Sequence, residues 1–447
     1  MKQRTRKMVS LALAGLMGMG VIAGCGSAEK ISSNVADGST DALGTSAQEE
    51  NTDASSGGQT EITFATSWVG VSVATEWFQD RLEAFNKEYG DTIKVNVEEI
   101  AGDQAYVDKM KVLYSSDALP DVIATGGYNL IDTMKDKFVD LTPYIDEDWK
   151  NSIDENCWDV NSRDGKIYGA PISKQVIGYF YNKELFEQAG IDKPADTWDE
   201  FFQDCDKLKA AGVTPLSMDT ADSGWVTSLM LGAMIGQTDE GEKFMNTRLP
   251  NDYNNDDFIS AAANIQKMFN NYTSSDAIGG AYENAAGNFF TEQTAIIANG
   301  PWMISDFYDT DQVEEGFADK IGVAAFPGNV MYDAGKIGFN IASKTEEKTK
   351  AAITFVKFMT NEDSQRSNLE ITGEIPCMKG VTSDKVRPLV QETIDLATNA
   401  KRHINDFQSL WYANVVDEIS VDYPLLAQNQ ITPEEFAQKL TDAAQKN

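Results

Sequence analysis

The chain has 447 residues, too many for one ordinary hydrophobic core, so at least two lobes are expected. Hydrophobic residues make up 42% and charged residues 24%, the balance of a globular protein. The formal net charge of -33 argues against nucleic acid as a partner and against attraction to anionic lipid head groups.

The first residues read as an export signal. Lys2, Arg4, Arg6 and Lys7 form a positive start, and residues 8–24 then run without a charge. Ile22, Ala23, Gly24 and Cys25 resemble the bacterial lipobox. That resemblance implies removal of residues 1–24 and a diacylglycerol thioether on Cys25, two acyl chains being roughly what stable anchoring needs. Ordinary secretion with a coincidental cysteine is the alternative. Residues 26–60 contain no aromatic side chain and cannot bury enough surface to fold, so 25–60 is a lipidated cysteine and flexible tether. Cys157, Cys205 and Cys377 are odd in number and show no CxxC pair, which predicts reduced, mostly buried thiols.

"EITFATSW" (61–68) alternates as a strand and delivers Trp68 at its carboxyl end. Val73, Trp77, Phe78, Leu82 and Phe85 follow at helical spacing, and residues 92–100 form a strand. Tyr106, Met110, Leu113 and Tyr114 mark a helix before "DVIAT", a short strand that ends in Gly126, Gly127 and Tyr128. This alternation predicts an α/β lobe with much parallel pairing. Strands resume at 166–173 and 176–182. A capping box at Thr197 and Glu200 opens a helix with Phe201, Phe202, Cys205 and Leu208 on one face. Helices dominate to about residue 290. "TAIIANGPWMISDF" (294–307) is then an apolar strand broken at Asn299, Gly300 and Pro301, with Trp302 at the turn before a helix. A strand at 320–328, a capped helix at 345–360 and a second capping box at Thr432 and Glu435 complete the pattern.

Little catalytic chemistry is on offer. His403 is the only histidine, which excludes HExxH and removes the commonest general base. No GxSxG, P-loop or post-strand GxGxxG occurs, and "DYNNDD" (252–257) lacks the glycine and distal glutamate of a calcium loop. No catalytic residue, metal or cofactor is therefore assigned. Aromatic residues placed after strands remain: Trp68, Tyr128 and Trp302. Ligands of open α/β sheets bind beyond strand carboxyl ends, and a flat aromatic ring can cover the C–H face of a sugar. Trp77 and Trp198 lie on periodic helix faces and are expected in the core. Position alone leaves Trp302 balanced between core and ligand platform.

A series of motifs then resembles, in order, the family 1 extracellular solute-binding proteins of bacterial ABC importers. It includes "LPDVIATGG" (119–127), "FVDLTPYID" (138–146), "DGKIYGAPIS" (164–173), "YFYNKELFEQAGIDKPADTWDEF" (179–201), "FFTEQTAIIANGPWMISDF" (289–307), "GVAAFPG" (322–328), "GEIP" (373–376) and "ITPEEFAQKL". The resemblance implies a two-lobed type II periplasmic-binding-protein-like α/β fold with a ligand cleft and a three-segment hinge. Lobe one is expected at 61–173 with 326–362, and lobe two at 176–322 with 370–447. The crossings fall at 172–175, 325–328 and 360–373.

Similarity to maltose-binding proteins puts Trp302 at a sugar-stacking position. Trp411 and Tyr412 form a second aromatic position, and Trp225, in a loop before an apolar helix, a third. Gln175 stands where maltodextrin binders carry a glutamate, which argues against simple assignment of maltose. Trp68, Tyr128 and Asn129 would face these from lobe one. Phe339 and Asn340 either reach the ligand or belong to a buried strand. The function implied is capture of a saccharide by lobe closure, without catalysis, and delivery to importer permease subunits. The protein is expected as a lipid-anchored monomer on the extracellular face of a Gram-positive-type membrane. A surface-anchored carbohydrate-active enzyme, or a binder of a polyamine or phosphodiester, is the alternative.

Overall fold

The computed structural model describes residues 58–446, apart from residues 71, 73 and 125–127. The export signal, Cys25 and most of the tether lie outside the described residues. Strand Thr60–Thr66 pairs in parallel with Ile93–Glu99 and with Val122–Ala124. Phe339–Ile341 then joins Val122–Ala124 antiparallel, and Gly169–Ala170 closes this five-stranded sheet. Side-chain alternation along the first strand serves two cores. Ile62 and Phe64 point to the cluster containing Phe78, Phe85 and Phe355, whereas Ala65 faces Tyr106 and Met110. Helices thus cover both faces of a mixed sheet, two of whose four pairings are parallel and two antiparallel.

The second sheet runs in the order Arg402–Ile404, Val330–Gly335, Ser173–Asn182, Thr294–Asn299, Thr214–Leu216. Its spine is Ser173–Asn182, ten residues long and nearly all buried. Every residue of Thr294–Asn299 is buried, which explains an apolar run without alternation. Helix Trp225–Ile235 is apolar all round, and every residue after Trp225 is buried. The capping boxes at Thr197 with Glu200 and at Thr432 with Glu435 both form. Trp77 and Trp198 are core residues, and Cys157, Cys205 and Cys377 are free and buried. Burial pushes the Cys377 thiol well up, with neighbouring Cys157 adding to the effect.

Two crossings fall later than expected. Val330–Gly335 stays in the second sheet, paired with Ser173–Asn182 (Tyr332 opposite Ile177) and with Arg402–Ile404. The return to the first sheet therefore occurs over residues 336–338, not at 325–328, and residues 326–335 belong with lobe two. The chain stays longer beside lobe one after residue 360. Trp77 Nε1 donates to the Ser364 carbonyl at 3.0 Å, and Met378 still bridges Ile153. Between them Ile375–Pro376 pairs with Lys174 and Ser173, and Pro388–Thr398 then packs on lobe two.

Candidate functional site

A cavity lies where the two sheets meet at the crossings. Trp68, Phe339 and Ala124 line it from lobe one, and Ser173, Lys336 and Glu374 line it from the three crossings. It encloses about 410 Å³ including its mouth.

Trp68 follows its strand as read. The half-buried ring is set edge-on against Trp77 at 5.3 Å and Phe339 at 5.6 Å between centroids. On the lobe-two side, Lys336 Nζ stands 5.3 Å from the Trp302 ring centre, and Trp302 lies 6.3 Å from Trp225. The strand ends in Asn299, whose buried side chain organises the turn. Its Oδ1 accepts from the Gly300 N–H at 2.9 Å and from Trp225 Nε1 at 3.4 Å, while its Nδ2 donates to the Tyr282 hydroxyl at 2.9 Å. Pro301 starts a 3-10 helix, Pro301–Tyr308. A Cβ on Gly300 would overlap the six-membered ring of Trp302, so the indole folds back over its own backbone and only glycine leaves the space.

Trp225 opens helix Trp225–Ile235 instead of preceding it. Three residues in a row, Asp222, Ser223 and Gly224, have positive φ immediately before it. Two are not glycine, a cluster of backbone strain of the kind found beside ligand sites. Gly224 has a second constraint, because a Cβ there would strike the Tyr423 ring. Asp219 holds the helix start, accepting from Thr227 N–H at 3.2 Å and Val226 N–H at 3.4 Å. Full burial pushes its carboxyl up to about 7 against the pull of those donors.

Other expected positions separate. Gln175 shares a strand face with cavity-lining Ser173, and its buried Oε1 has no hydrogen-bond partner among the described residues. Tyr128 and Tyr412 are half-buried on their respective lobes. Trp411 is corrected to the core. It is 2% exposed and surrounded by Tyr253 at 5.1 Å, Phe407 at 6.0 Å and Phe258 at 6.3 Å. Extended backbone at Trp411 turns it inward and leaves its neighbour Tyr412 facing out. Asn340 is also withdrawn. It sits on the strand face opposite Phe339, and its Nδ2 donates to the Tyr168 carbonyl at 2.7 Å. The Asn129 side chain is used by Asp132 and Arg163, so only its backbone faces the other lobe.

That backbone contact is one of several between the lobes. Asn129 N–H donates to the Gln408 carbonyl at 3.2 Å, and Lys111 pairs with Asp417 at 3.2 Å. Arg248 donates to the carbonyls of Ser162 at 3.0 Å and Asp159 at 2.9 Å. The lobes are therefore closed on each other. Sequence reasoning missed Lys336, Glu374, Asn299 and Arg248. The first two were visible as lone charges within the otherwise apolar or small stretches "AGKIGFN" and "TGEIPC". Among the described residues no group of His, Cys, Asp and Glu is placed to hold a metal, and no helix is long and apolar enough to cross a membrane.

A sequence profile described as bacterial extracellular solute-binding protein matches residues 80–398, more than half of the chain. The multiple sugar-binding protein of Streptococcus mutans is 28% identical over 259 residues, covering 54% of this chain and 58% of that protein. The galactooligosaccharide-binding protein of Bacillus subtilis is 24% identical over 312 residues, covering 68% and 71%. The chain thus spans little more than half of the first relative. Among solved structures, a chitin oligosaccharide binding protein superposes with a TM-score of 0.76 at 21% identity, over 87% of this chain and 98% of the other. A solute-binding protein in complex with raffinose gives 0.67 at 22%, over 87% and 99%. These likenesses carry the fold, a two-lobed α/β arrangement.

Proposed function

This chain belongs to the bacterial extracellular solute-binding proteins, and on that premise we propose that it captures an oligosaccharide outside the cell and passes it to the permease of an ABC importer. The family is one of binding proteins, and no catalytic step is part of this reading. The observation that carries it is a hinge cavity walled by Trp68 and Phe339, one of whose lining residues, Lys336, stands 5.3 Å from the ring of Trp302 in the other lobe, with Trp225 6.3 Å beyond it. Such rings stack on the C–H faces of pyranoses, while Gln175, Tyr128 and Tyr412 supply polar edges. The sugar-binding names of the relatives favour the same ligand class.

Closure is driven by differential affinity. Contacts from both lobes coexist only in the closed form, so a ligand that needs both shifts the population towards it. A diacylglycerol on Cys25 and the tether would hold the monomer near its permease. Tryptophan emission and thermal melts across mono- and oligosaccharides test the reading. A saturable emission change with a raised melting temperature and no sugar cleavage is expected. Cleavage of more sugar than protein present, or no response to any saccharide, would refute it.

A further inference from the structure

Two charged side chains stand in the hinge where apolar residues would serve the fold better. Lys336 Nζ lies 2.8 Å from Glu374 Oε1, with the two side chains 16% and 14% exposed. The other carboxylate oxygen, Glu374 Oε2, is buried and has no hydrogen-bond partner among the described residues. Both residues line the cavity beside Trp68, and Lys336 also approaches the Trp302 ring. A largely buried ion pair is a poor stabiliser, because desolvation offsets most of its attraction. A buried acceptor left unpaired adds a further penalty. Holding the crossings together does not explain the pair; an incoming polar group does.

We propose that Lys336 and Glu374 read the hydroxyls of the captured sugar and select a neutral pyranose with two free adjacent hydroxyls. The inference rests on the saccharide reading above and deepens it. One hydroxyl donates to Glu374 Oε2, the acceptor now unused. Its neighbour accepts from Lys336 Nζ, which has three donors and gives one to Glu374. The ring's C–H face meets the aromatic wall. Ammonium and carboxylate already compensate each other, so an added charge finds no counter-ion. A uronate would face the free carboxylate oxygen, and an amino sugar would face the ammonium.

The test titrates the full chain with neutral oligosaccharides and with their uronate- and glucosamine-containing counterparts, followed by tryptophan emission. Glu374→Gln, Lys336→Met and the double variant are measured alongside, each with its melting temperature. Neutral sugars should bind the wild type at least tenfold more tightly than charged ones. Each single variant should lose at least tenfold for the neutral sugar. The double variant, which leaves no orphaned charge, should regain the melting temperature but not the affinity. A purely structural pair would restore both together, and that result overturns the proposal. So do single variants that bind like the wild type, or a wild type that prefers a charged sugar. A wild type that binds no saccharide refutes the saccharide reading itself, a different failure.

Discussion

Gly300→Ala adds one methyl group where the Trp302 indole lies back over its own chain. Backbone angles at residue 300 (φ -103, ψ 176) suit alanine, so no conformational strain is introduced and any effect is steric. The new Cβ would overlap the six-membered ring of Trp302. Overpacking of this kind costs about 1–3 kcal/mol. The ring is only half-buried and can yield, which places the expected loss at the lower end, about 1–2 kcal/mol. In a chain of this length that lowers the melting temperature by roughly 1–2.5 °C. Displacing the ring also removes the proposed sugar platform, so affinity should fall about tenfold, near 1.4 kcal/mol. Calorimetry and saccharide titration measure the two losses. A Gly300→Ala protein that melts and binds like the wild type would refute both the folded-back ring and its role.

Arg248→Ala removes two charge-assisted hydrogen bonds across the lobes, and at this partly exposed site about 1 kcal/mol of preference for the closed form. Apparent affinity should weaken roughly fivefold with a larger solution-scattering radius of gyration; unchanged values for both would count against Arg248 as a lobe tie. Asp306 is pushed up to about 6 by burial, with neighbouring Asp309 adding to the shift. Because its folded pKa exceeds the unfolded value near 3.9, the stability it contributes is full below about pH 4 and is lost as pH rises to about 6. The melting-temperature advantage of Asp306→Asn over the wild type should therefore grow between pH 4 and 7, and a pH-independent difference would contradict this. Cys157, Cys205 and Cys377 are buried, and burial raises the thiols of Cys205 and Cys377. None of the three should react with an aromatic disulfide reagent until denaturant is added; rapid labelling of the native chain would show the packing to be wrong.

Local signals carried far in this protein. Capping boxes, the apolar run at 294–299 and the motif order placed most elements, because each depends on neighbours close in sequence. The failures share a cause. Trp411 and Tyr412 are adjacent aromatics, and which one turns inward depends on a pocket built by Tyr253 and Phe258, more than 150 residues away. Val330–Gly335 is not read as a strand from the sequence at all, and only its register with Ser173–Asn182 assigns it to the second sheet. Lys336 and Glu374 look like solvated surface charges until the fold brings them together in a hinge. Trp302 was legible as a turn residue, but its posture over Gly300 was not.

The three crossings converge on one residue. Lys174 is opposite Gly335 on one side and opposite Ile375 on the other, so the hinge is a short three-stranded ladder rather than three loose linkers. Mechanically this makes the joint a torsion element. The lobes can swing only as far as the twist of a hydrogen-bonded sheet allows, and along the direction in which that sheet is soft. Where the ladder carries a crossing, part of the conformational entropy usually lost when linkers stiffen has already been spent in folding. The energy of each ligand contact is left to favour the closed state.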